Sequence, residues 1–268
     1  MGEKVQGNLV IIGGSEDKEK DCFILKQVVQ LAGGSAARMA VLTTASLKPE
    51  QVGKEYIEVF KKLGLKEVSI FNISDRRKAC DPEIIKKLKE STGIFFTGGD
   101  QLRITGTLGG TELEKSLYDL YRQGVVIAGT SAGASVMSDT MIVGGYNDDT
   151  PQVTSLSMAP GLGFLKEVVI DQHFAQRGRT GRLLSVIAHN PYILGIGIDE
   201  DTAIVVRSDG HLEVIGSNSA TVLDGKNIGY SNVSELEPNQ PLIITNVILH
   251  TLSSGCRFSL KERKPMIN

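Results

Sequence analysis

The stretch GVVIAGTSAGASVMSD, residues 124–139, decides how the rest of the chain is read. An apolar run, VVIA, ends in Gly-Thr-Ser-Ala-Gly, and small helix-compatible residues follow at once. A nearly continuous apolar run suits a strand covered on both faces, the pattern of a parallel sheet. Glycine on either side of Ser131 lets the chain turn tightly without a Cβ clash. A strand that turns directly into a helix predicts an α/β domain with its chemistry beyond the strand ends.

Outward from this stretch the same rhythm repeats. Residues 8–14, 38–44, 67–73, 93–99 and 124–130 read as buried strands. Residues 17–32, 49–63, 81–90 and 111–123 carry apolar residues at three- and four-residue spacing and read as helices. Asp81 is a natural N-cap, with Pro82 at the first helical position. Alternation of strand and helix predicts a doubly wound, mostly parallel sheet in an αβα sandwich. After residue 200 two β-rich runs flank Ser-Asp-Gly, a hairpin signal, and residues 241–252 and 256–260 also look extended. This predicts an antiparallel β extension packed on the parallel sheet. No linker separates the two parts, so one domain over residues 1–268 is expected.

Composition excludes several function classes. The 268 residues are 41% hydrophobic and 22% charged, with a net charge of −2. Acids and bases are interspersed, so no basic face for nucleic acid or anionic lipid is expected. Cys22, Cys80 and Cys256 lie far apart without a CxxC pair, which fits a reducing, cytoplasmic setting. The N-terminal residues resemble neither a secretory signal nor a myristoylation site. No window reaches the roughly 18 apolar residues of a membrane span. No metal-ligand cluster is visible, and no GxGxxG or GxxxxGK[ST] motif suggests a nucleotide. No metal and no cofactor are therefore expected.

The GxSxG pattern at a strand-to-helix turn marks Ser131 as a candidate nucleophile, because strain at that position lifts Oγ clear of the backbone. The N–H groups of the helix that follows point at developing negative charge. A nucleophilic serine needs a base. Of four histidines, His173 alone ends a buried run and sits among Asp171, Gln172 and three arginines. His189 closes a helix, and His211 and His250 fall in strand-like runs. The base needs an orienting acid, and Asp199, Glu200 and Asp201 end another apolar strand. Strand alternation sets Glu200 on the face opposite the two aspartates, which narrows the choice without making it.

Five segments together carry a resemblance: GGDQ (98–101), GTSAGA (129–134), MAPGLGF (158–164), DQHFxxRxRxxRL (171–183) and GIGIDEDTA (195–203). In this order, over roughly residues 8–260, the chain resembles the cyanophycinases. These are serine-type exopeptidases related to aspartyl dipeptidases, with a class I glutamine amidotransferase-like fold. The resemblance implies a substrate: cyanophycin, a poly-aspartate with arginine on each side-chain carboxyl, cut at β-linked aspartyl bonds into β-Asp-Arg dipeptides without a cofactor. It implies Ser131 as nucleophile, His173 as base and Glu200 as the orienting acid. The oxyanion donors would be the N–H of Ala132 and that of Gly98 or Gly99. A homodimer is also implied by the resemblance alone.

A β-Asp-Arg unit presents guanidinium, ammonium and carboxylate groups. Gln101, Asp171 and Gln172 are candidates to accept from its cations, and Arg177, Arg179 and Arg182 to grip its carboxylates. Those arginines stand at a helix start, against the dipole, which calls for an anion nearby. Two rival readings stand beside this one. An aspartyl or isoaspartyl dipeptidase would share the serine turn but lack the DQHF-plus-arginine run. A non-catalytic binding homologue would leave an intact serine, histidine and acid idle. A glutamine amidotransferase would carry cysteine where Ser131 stands.

Overall fold

The computed structural model describes residues 7–144, 151, 157–237 and 240–266. Residues 1–6, on which the reading of the N-terminus partly rests, lie outside them. Five parallel strands form the heart of the main sheet: β1 (Leu9–Ile12), β2 (Arg38–Leu42), β3 (Glu67–Phe71), β4 (Gly93–Phe96) and β5 (Val126–Thr130). They lie side by side in the order β1-β5-β4-β2-β3. Alternation divides each strand between two cores. Val10, Ile12, Val41, Phe95 and Ala128 face one, and Leu9, Ile11, Leu42, Phe96 and Ile127 the other. The edge strand β3 leaves Glu67 and Ser69 exposed, whereas burial on both faces explains why β1, β2, β4 and β5 read as nearly unbroken apolar runs. A fully buried side chain of this kind contributes about 1.5–3 kcal/mol.

Helices α1 (Phe23–Leu31), α2 (Pro49–Lys62), α3 (Pro82–Leu88), α4 (Gln101–Leu108) and α5 (Glu112–Arg122) connect the strands. Side-chain caps start three of them. Asp81 accepts from Glu83 N–H, Asp100 from Leu102 N–H and Thr111 from Glu114 N–H. Helix α1 begins six residues later than periodicity suggests. The Asp17 carboxylate accepts from the N–H groups of Glu19, Lys20 and Cys22, closing a turn that competes with the helix. Those bonds hold its carboxyl at about 2.

Beyond β5 come the short helix α6 (Ala132–Ser135), the hairpin of β6 (Thr140–Gly144) and β7 (Ser157–Pro160), then β8 (Val168–Gln172), α7 (Thr180–His189) and β9 (Leu194–Ile198). The antiparallel part comprises β10 (Thr202–Val206), β11 (His211–Gly216), β12 (Ser219–Asp224), β13 (Ile248–Ser253), β14 (Arg257–Ser259) and β15 (Lys264–Met266). The anticipated hairpin joins β10 and β11. The extension divides in two. Strands β10, β11, β14 and β15 continue the main sheet beyond β1, while β12 and β13 join β8 and β9 in a second sheet ordered β13-β12-β9-β8. Residues 241–247, also read as extended, form no named strand. The arrangement brings the carboxyl ends of β5, β8 and β9 together.

Candidate active site

Ser131 sits between β5 and α6 with φ 53° and ψ −111°, a left-handed value that a residue with a Cβ adopts only under strain. Its neighbours explain how the turn closes. A Cβ on Gly129 would lie 2.4 Å from the Gly133 carbonyl oxygen, and one on Gly133 would lie 2.4 Å from the Phe96 carbonyl oxygen. Both positions therefore exclude any larger residue. The turn is held from below by a bond from Ser131 N–H to the Ile12 carbonyl, at 3.0 Å.

His173 follows β8, also with positive φ, at 47°. Its Nε2 stands 3.0 Å from Ser131 Oγ, and its Nδ1 stands 2.6 Å from Glu200 Oε1. The carboxylate accepts a hydrogen bond from Nδ1–H, which leaves Nε2 as an acceptor for the serine hydroxyl. Gln172 Oε1 also lies within reach of that hydroxyl, at 3.4 Å, so the imidazole is the nearer acceptor. Burial pushes the His173 pKa below its ordinary value, opposed by the hydrogen bond the ring donates to Glu200. The ring is thus neutral at pH 7 and able to receive a proton.

The three acids that end β9 have separate tasks. Asp199 is buried and accepts from Ala175 N–H, Ser219 N–H and Ser219 Oγ. Asp201 accepts from Asp17 N–H and Ser217 Oγ. Glu200 alone of the three reaches His173. Its backbone is fixed by Gln176 Oε1, which accepts from Glu200 N–H, and by Asn218 Nδ2, which donates to the Glu200 carbonyl.

Gly98 flanks the serine, since a Cβ there would lie 3.5 Å from Ser131 Cβ. Gly99 has φ +142°, and a Cβ would press on the Ala45 carbonyl oxygen at 2.2 Å. Ala132 opens α6, where an N–H has no intrahelical acceptor. Gln101 donates from Nε2 to the Ile142 carbonyl at 2.8 Å, so its amide nitrogen bridges α4 to β6. Among the described residues no group of three or more His, Cys, Asp or Glu side chains is arranged to hold a metal.

The arginine run departs from its expected role. Asp171 is only 1% exposed, and its carboxylate pairs with Arg182 Nε at 3.0 Å, with Arg182 Nη2, and with Arg179 Nη1 at 3.3 Å. Asp171 is therefore not open to a substrate cation, and Arg179 and Arg182 are buried beside it. The anion that a basic helix start calls for is supplied by this chain's own strand β8. Burial lowers the Arg179 pKa to about 10, against the opposing pull of Asp171. Arg177 differs, being exposed, and its charge acts on His173.

Sequence reasoning missed several residues around the site. Gly14, with φ +105°, is packed so closely under the imidazole that a Cβ would lie 2.3 Å from His173 Cε1. Glu16 lies buried behind the serine turn, and Gln176 and Asn218 hold Glu200. Only Gly14 and Glu16 left a trace, in the Gly-Gly-Ser-Glu-Asp that ends the first strand.

Comparison with known proteins gives concordant findings. The profile of peptidase family S51 matches residues 9–214. A protein named cyanophycinase from Geminocystis herdmanii (strain PCC 6308) is 39% identical over 267 residues, covering 99% of this chain and 98% of that protein. One of the same name from Trichormus variabilis (strain ATCC 29413 / PCC 7937) is 41% identical over 256 residues, covering 95% and 86%. The crystal structure of a peptidase from an acI-B1 Actinobacterium superposes with a TM-score of 0.66 over 92% of this chain and 98% of its own, at 23% identity, a likeness of fold.

Proposed function

Because the chain belongs to peptidase family S51, and is thus a serine-type peptidase, we propose that it hydrolyses cyanophycin, releasing β-Asp-Arg dipeptides from the polymer through an acyl-enzyme on Ser131. One observation carries the mechanism: the unbroken relay from Ser131 Oγ through His173 to Glu200, at 3.0 and 2.6 Å. Its order along the chain is serine, histidine, acid, unlike that of the α/β-hydrolases.

In this reading His173 Nε2 takes the hydroxyl proton as Oγ attacks the scissile carbonyl carbon. Glu200 stabilises the imidazolium that forms. The N–H of Ala132 and that of Gly98 or Gly99 receive the oxyanion. His173 then protonates the leaving amine, and water, activated by the same imidazole, releases the acyl group. Gln172 and Gln101 orient the substrate, and the exposed Arg177 grips a substrate carboxylate. The Asp171–Arg179–Arg182 cluster supports Gln172 from beneath, because Arg179 also donates to the Gln172 carbonyl. The homodimer and the cytoplasmic setting belong to the same proposal. They rest on the resemblance and on three well-separated cysteines, all free in the structure.

The test offers the purified protein cyanophycin and, separately, an α-aspartyl dipeptide, with products identified by mass spectrometry. Release of β-Asp-Arg from the polymer is the expected result. Cleavage of the dipeptide with the polymer untouched would move the activity to the aspartyl dipeptidases.

A further inference from the structure

One short segment, residues 12–17, touches Ser131, His173 and the residue that follows Glu200. The Ile12 carbonyl accepts from Ser131 N–H at 3.0 Å, the Gly13 carbonyl from His173 N–H at 2.8 Å, and the Gly14 carbonyl from Asp201 N–H, next to Glu200, at 2.9 Å. Asp17 N–H donates to Asp201 Oδ1 at 2.9 Å. Within this segment Glu16 is the one charged side chain that is buried. It is 5% exposed and accepts from Thr130 Oγ1 on Oε2 and from Tyr56 Oη on Oε1, each at 2.5 Å. Lys18 Nζ lies 3.9 Å from Oε1 and binds Glu55 more closely, at 2.7 Å. A buried carboxylate is costly unless hydrogen-bonded, and here two hydroxyl donors meet that need. Burial and the Glu16 charge raise the Tyr56 pKa well above its ordinary value, so Tyr56 remains a donor.

The sheet register explains why Thr130 is the partner. Phe96 pairs with Gly129 and Leu42 with Phe96, so one residue further on Thr130, Thr97 and Thr43 form a row across β5, β4 and β2. All three are buried. Thr97 and Thr43 have hydroxyls with no hydrogen-bond partner among the described residues. Glu16 engages only the threonine bonded directly to the strained serine. The carboxylate thus ties the turn that carries Ser131 to the segment whose Gly13 carbonyl holds the His173 backbone.

We propose that Glu16 is a positioning residue for the reaction at Ser131, acting through the Thr130 hydroxyl to fix the serine against His173. The inference rests on the reading of Ser131 as nucleophile. A displacement of about 1 Å in such an array costs on the order of 10²-fold in rate.

The experiment measures kcat and KM on cyanophycin, together with thermal unfolding, for the native protein, Ser131→Ala, Thr130→Val, Thr130→Ser, Glu16→Gln, the Glu16→Gln/Thr130→Val double variant and Thr43→Val. Thr130→Val should lose on the order of 10²-fold in kcat with KM unchanged. Thr130→Ser should restore kcat, and the double variant should be no slower than the slower single variant, because both remove one contact. Thr43→Val makes the same exchange in the same row and should leave kcat at the native value. Native kcat in folded Thr130→Val, or multiplying losses in the double variant, would overturn the proposal. So would unfolding of Thr130→Val while Thr130→Ser stays folded, which would assign the hydroxyl to stability alone. Turnover by Ser131→Ala would instead overturn the underlying reading.

Discussion

Replacing Glu200 by glutamine tests the relay at its most exposed link. In buried triads the exchange of acid for amide costs about 10⁴-fold, because the amide presents an N–H to Nδ1 and imposes the wrong tautomer. Glu200 is placed differently. Its side chain is 34% exposed and only Oε1 contacts His173. A carboxamide there can rotate to keep its oxygen on Nδ1–H, and the tautomer is preserved. What disappears is the charge on the acceptor. Hydrogen bonds to charged groups are worth about 1.5–3 kcal/mol and neutral ones about 1. The difference is about 0.5–2 kcal/mol of transition-state stabilisation, and solvent screening at a partly exposed site keeps the loss from exceeding it. That corresponds to about a 2- to 30-fold fall in kcat. The sign of the pH effect follows from the same contact. Glu200 raises the His173 pKa against burial, so its neutralisation lowers that pKa further. The acid limb of kcat/KM, which reports the neutral imidazole of the free enzyme, should move to lower pH. Steady-state kinetics across the acid range measures both. An unchanged kcat with an unmoved acid limb would refute the assignment of Glu200, and a loss near 10⁴-fold would refute the rotation argument.

Other expectations follow from the same geometry. In the native protein the acid limb should lie below the ordinary histidine value of about 6.5, because burial lowers the His173 pKa; a limb above that value would contradict the direction. Arg182→Met removes two of the contacts to buried Asp171 and should cost about 3–5 kcal/mol in urea unfolding, near the lower figure because Arg179 stays. A rise in KM at unchanged stability would restore Arg182 to the substrate. Gly14→Ala puts a methyl 2.3 Å from His173 Cε1 at φ +105°, and should abolish most turnover. Native activity in that variant would mean that the ring has room to move.

The parallel half of the fold was legible because burial on both faces writes unbroken apolar runs, and because Asp81 and Pro82 announce a helix start. Helix α4 escaped notice, since QLRITGTL carries two threonines and a glycine and little periodicity. The sharing of the antiparallel strands between two sheets depends on long-range pairing, such as Ala220 with Ile198, that no local pattern encodes. At the site, Ser131 and His173 stood out because each ends an apolar run in polar residues. Alternation alone puts one acid against two among Asp199, Glu200 and Asp201, and the choice of Glu200 came from the resemblance; in the structure Glu200 is the acid that contacts His173. The arginines show the opposite limit. Their position against a helix dipole called for an anion, but Asp171 pairs with Arg179 and Arg182 across a strand and a helix, which spacing cannot reveal. Glu16 was invisible as a contributor because its partners, Tyr56 and Thr130, are remote in sequence.

The most direct measurement compares the native protein with Ser131→Ala on cyanophycin, following β-Asp-Arg release by mass spectrometry. Release by the native protein and none by the folded variant is the predicted result. Release by Ser131→Ala at a comparable rate would contradict a mechanism that begins at this serine.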